Sequence, residues 1–82
     1  MAPRKPAARK RQDKHSVVAS VERDLAEIAK RDAALADSAL AASARALARE
    51  IDDANNSATS KSMCARALLD TLDRLRELVP DE

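Results

Sequence analysis

The sequence of 82 residues contains no glycine, phenylalanine, tyrosine or tryptophan. Without glycine, it cannot form the glycine-rich loops that bind phosphate in P-loop and dinucleotide-binding proteins. Without aromatic residues, it has no platform on which the bases of single-stranded nucleic acid could stack. Its single cysteine and single histidine cannot form an internal disulfide or a structural zinc site. No apolar run approaches the roughly 18–20 residues of a membrane span. We therefore expect no membrane association, no metal and no cofactor.

Charge is unevenly distributed, although the net charge is only +1. Residues 1–14 hold six basic residues and one acidic residue, a net charge of +5, whereas the rest of the chain holds nine basic and thirteen acidic residues, a net charge of −4. Pro3 and Pro6 oppose helix formation, and no large apolar residue follows Met1 in this region. The sequence predicts a disordered basic arm over residues 1–15, followed by a mildly acidic body.

The basic arm is the strongest functional feature of the sequence. A flexible cationic segment binds polyanions by neutralising phosphates and releasing counterions. Such contacts hold a protein on DNA without reading its bases. The candidate DNA-binding residues in the arm are Arg4, Lys5, Arg9, Lys10, Arg11 and Lys14. The alternative interpretation is a solubilising tail without a partner.

Apolar spacing predicts an all-α fold, with helices over about 16–31, 33–53 and 58–79 and a short tail at 80–82. Alanine supplies 19 residues and favours helix. We expect a small three-helix bundle or helical hairpin. Leu69 and Leu78 are expected to widen the apolar stripe of the third helix, and the pairs Glu27–Arg31, Arg66–Asp70 and Asp70–Arg74 are spaced for weak ion pairs.

The large apolar residues are few for a chain of this length, so self-association is expected to complete the fold. The residues expected to pack in the core or between copies are Val21, Leu25, Ile28, Leu40, Leu47, Ile51, Leu68, Leu72 and Leu75.

The start of the third helix is a second candidate site. Residues 52–56 predict the preceding turn, with an asparagine replacing glycine in the left-handed conformation. Both Ser57 and Thr59 are suitable N-caps, and the sequence does not choose between them. Backbone N–H groups and hydroxyls beside a lysine can hold a phosphate. Ser60 and Lys61 are therefore added to the DNA-binding candidates, with simple helix capping as the alternative.

Catalysis is not expected. His15 adjoins the arm, and Cys64 lies on the apolar side of the third helix, where a small buried side chain is its ordinary role. A cysteine–histidine pair would require the arm to fold back onto this helix, and no third residue is placed to orient the histidine. The sequence predicts a non-enzymatic protein without catalytic or metal-binding residues.

The string N-S-A-T-S-K-S-M-C-A-R-A-L, residues 56–68, resembles the terminase small subunits of actinobacterial phages. A weaker similarity covers residues 17–79, including the alanine-rich middle and the Ile51-Asp52-Asp53 turn. The resemblance implies a non-catalytic component of viral DNA packaging that recognises double-stranded viral DNA. It also implies assembly as an oligomeric ring, a terminase large subunit as partner, and a location in the host cytoplasm.

A different class of function also fits the helical pattern. The apolar stripes of the first and third helices are typical of coiled-coil adaptors, so the alternative is a helical protein–protein interaction module or small regulatory adaptor without DNA binding.

Overall fold

The computed structural model describes residues 16–80, most of which lie in four α-helices. Helix α1 spans Val17–Arg31, α2 spans Ala33–Ala36, α3 spans Ala39–Asp52 and α4 spans Ala58–Leu78. No strand occurs within the described residues. The all-α fold is therefore confirmed, while the predicted basic arm and residues 81–82 lie outside the part of the chain that the structure describes.

A polar side chain caps the start of every helix. Ser16, Ser38 and Ser57 each accept a hydrogen bond from the backbone N–H three residues later, and Asp32 does the same for α2. Each cap satisfies one of the N–H groups that have no partner inside the first turn of a helix. The four caps explain why the chain begins its helices at these residues.

The helix predicted over residues 33–53 is interrupted at Asp37 and Ser38. The hydroxyl of Ser38 donates to the carbonyl oxygen of Leu35 at 2.6 Å and accepts from the N–H of Ala41 at 3.3 Å. A serine that bonds to nearby backbone groups competes with the continuous helical ladder. The residue therefore ends one helical segment and begins the next, leaving α2 as a single turn packed on α1.

Helices α1 and α4 run parallel, and α3 runs antiparallel to both. At one end of the bundle, the carboxylate of Asp52 in the last turn of α3 accepts hydrogen bonds from the N–H groups of Val17 and Val18 at 3.0 and 2.9 Å. At the other end, Arg31 at the close of α1 donates to the carbonyl oxygen of Pro80, just beyond α4. Helix α3 packs against both α1 and α4 and forms the centre of the bundle.

The core consists of large side chains from α1 and α4 packed over alanines of α3. Its buried members are Val21, Leu25, Ile28, Ala41, Ala44, Ala48, Leu68, Leu72 and Leu75. The three alanines are 0% exposed, and side chains of this size let neighbouring helices approach closely. Within residues 16–80, no polar or charged residue is buried.

The predicted packing residues of the middle helix lie at the edge of this core. Leu40, Leu47 and Ile51 are half-buried against it, whereas the alanines occupy its centre. Helix α3 contacts a helix on each of two sides, so its central face must be narrow and its larger side chains flank that face. Spacing alone predicts that the larger side chains occupy the core, because alanine contributes little area to an apolar stripe.

The expectation that Leu69 and Leu78 widen the apolar stripe of α4 is wrong. The two leucines are 62% and 53% exposed, and Met63 on the same helix is 69% exposed. The bundle has no further helix among the described residues to cover them. Helix α4 therefore carries three large apolar side chains on its surface.

We expect the carboxylate of Asp52 to stabilise the bundle. Replacing Asp52 with alanine removes the acceptors for two N–H groups, and the free energy of unfolding should fall by about 1–2 kcal/mol, as for loss of a helix cap. Asp52→Asn retains one acceptor oxygen and should have an intermediate effect. Urea denaturation followed by circular dichroism measures both changes.

The control for this experiment is Asp70→Asn. Asp70 is exposed, and within the described residues its carboxylate makes no hydrogen bond or ion pair. This variant should unfold like the parent chain. Equal stability of the parent chain and the Asp52→Ala variant would contradict the stabilising role.

The alanine face of α3 should not tolerate larger side chains. Ala44 is fully buried between helices, so Ala44→Leu should destabilise the fold by about 1–3 kcal/mol through overpacking. Ala46 is exposed on the same helix, and Ala46→Leu should leave the stability within about 0.5 kcal/mol of the parent. Thermal denaturation measures the difference in stability between the two variants. Equal stability would contradict tight packing of Ala44 and would show that α3 shifts away from its neighbours.

Candidate nucleic-acid interface

The turn between α3 and α4 is held by polar side chains. The amide of Asn56 donates to the carbonyl oxygen of Glu50 at 2.7 Å and to its carboxylate at 3.0 Å. Asp53 accepts from the N–H of Asn55 at 2.9 Å. No residue among 16–80 has a positive φ, so the expected left-handed asparagine is absent there. The side chain of Asn56 instead satisfies a carbonyl group at the end of α3.

The structure assigns the cap of α4 to Ser57. Its hydroxyl accepts from the N–H of Ser60 at 3.0 Å, and its carbonyl oxygen accepts from the N–H of Lys61 at 2.9 Å. The two backbone donors of the candidate phosphate site therefore already have partners within the helix. The arrangement corresponds to capping, and Lys61 offers an anion only the charge of its side chain.

Lys61 is half-buried, and its ammonium group makes no ion pair within residues 16–80. Ser60 is also half-buried. Both lie in the first turn of α4, close to the end of the bundle at which Asp52 contacts the start of α1. Residue 16 therefore lies at the same end of the bundle as Ser60 and Lys61.

The six basic residues of the arm, Arg4, Lys5, Arg9, Lys10, Arg11 and Lys14, lie outside the described residues. Their point of attachment is nevertheless fixed, because Ser16 caps α1. The N-terminal ends of α1 and α4 both lie at this end of the bundle, and helix N-termini carry partial positive charge. The acidic Asp52 and Asp53 lie there as well, so this end of the body has mixed charge.

Several cations of the body form ion pairs. Arg45 on α3 makes the shortest of them, donating two hydrogen bonds of 2.8 and 3.3 Å to Glu22 on α1. The hydrogen bond with Glu22 raises the pKa of Arg45. Arg76 on α4 reaches Asp24 on α1 at 3.5 Å. These cations join helices and are therefore less available to a phosphate.

The three ion pairs predicted from i,i+4 spacing do not form. Glu27 pairs with Lys30 at 3.2 Å instead of with Arg31. Arg74 approaches Glu77 at 3.9 Å, and Asp70 makes no ion pair within the described residues. These exposed pairs are weak and exchange readily, so spacing does not determine which of them forms.

No group of three or more histidine, cysteine, aspartate or glutamate residues within the described part could hold a metal ion. Cys64 is half-buried, and His15 lies outside the described residues. None of the described helices is long and apolar enough to cross a membrane.

No protein-family model, curated protein or solved structure matches this chain. The resemblance of residues 56–68 to terminase small subunits is therefore a likeness of sequence pattern alone. In the structure this string forms the cap and the first half of α4. Its most exposed large apolar side chain is Met63.

Sequence reasoning missed two features of this region. The sequence predicts Asp52 only as part of the turn at residues 52–56, whereas its carboxylate contacts the start of α1. Leu69 and Leu78 are expected to widen the apolar stripe, whereas both lie on the surface of α4, as does Met63, for which the sequence predicts no position. Summing helical angles would have indicated the second feature, because both residues lie well away from the direction of Leu68, Leu72 and Leu75.

The two candidate caps of α4 can be separated by mutation. Ser57→Ala should lower the free energy of unfolding by about 1 kcal/mol, because the N–H of Ser60 loses its acceptor. Thr59→Ala is the matched control, since the hydroxyl of Thr59 makes no hydrogen bond within the described residues. Urea denaturation measures both variants, and a larger loss for Thr59→Ala would contradict the assignment.

Proposed function

We propose that this chain is a phage terminase small subunit: a non-catalytic component of viral DNA packaging that binds double-stranded DNA. The observation that carries the proposal is the position of residue 16, to which the basic arm is attached. The arm joins the helical body at the end where α4 begins with the string that resembles this family. In this proposal the side chains of Ser60 and Lys61 bind DNA together with the arm.

The charge balance of the body supports DNA binding by the arm. Residues 16–80 hold nine basic and eleven acidic residues, and two of the basic residues form ion pairs between helices. A body of this charge repels a polyanion slightly at long range. The six cations of the arm overcome this repulsion and release counterions from the DNA.

The partner in this proposal is the terminase large subunit, which supplies ATPase and nuclease activity in that family. The present chain contributes recognition and regulation, acting as a homo-oligomer in the host cytoplasm. Its small alanine-centred core supports self-association, because a chain of this size buries little apolar area alone.

A protein–protein interaction module without DNA binding is the second candidate. The observation that favours it is the exposure of Met63, Leu69 and Leu78, which are 69%, 62% and 53% accessible on one helix. Exposed apolar groups on a small domain often mark a contact with another protein. A stable complex with a different protein, together with no affinity for duplex DNA at low salt, would favour this function.

Neutralising the arm should abolish DNA binding. We expect replacement of its six basic residues by glutamine to remove the salt-dependent affinity for duplex DNA. For the parent chain, log affinity should fall with log salt with a slope of about −5 if all six contact phosphates. Fluorescence anisotropy of a labelled duplex at several salt concentrations measures the slope.

The control is Lys30→Gln. Lys30 is an exposed cation of α1 paired with Glu27, far along the helix from the arm. Its replacement should leave the slope nearly unchanged. DNA binding that survives neutralisation of the arm would contradict the proposed interface.

A further inference from the structure

We draw no further inference here: the strongest candidate, the surface of α4 that bears the exposed side chains of Met63, Leu69 and Leu78, carries charges of both signs between them, and nothing in the described part of the chain shows what covers it.

Discussion

The carboxylate of Asp52 accepts hydrogen bonds from the N–H groups of Val17 and Val18 at 3.0 and 2.9 Å, and the rest of the arrangement depends on this contact. A negative side chain at the close of α3 is unfavourable to that helix but favourable to the start of α1. Because the contact joins residues 34 and 35 positions apart, it fixes the antiparallel alignment of α1 and α3. It also places the attachment point of the basic arm beside the start of α4.

That alignment works because α3 presents alanines to its neighbours. Ala41, Ala44 and Ala48 are fully buried, and Leu25 and Leu75 are among the largest fully buried side chains packed around them. Small residues at the centre permit close helix packing, but they bury little apolar area. The fold thus gains a well-defined geometry from a small core. The same shortage of covering elements leaves Met63, Leu69 and Leu78 of α4 exposed, so the small core and these exposed apolar side chains have one cause.

The sequence predicts the helices well, because amphipathic spacing and capping residues are local properties. Ser16 and Asp32 could be assigned as caps for this reason. The break at Ser38 could not be predicted as readily, because a serine within an alanine-rich segment either stays in the helix or ends it, and tertiary packing decides. The contact of Asp52 with α1 depends on the position of a distant helix, which spacing does not give. In the candidate site, the sequence identifies Lys61 as a cation at the start of α4. Its half-buried position follows only from the structure. The structure also shows that the N–H of Ser60 already donates to the hydroxyl of Ser57.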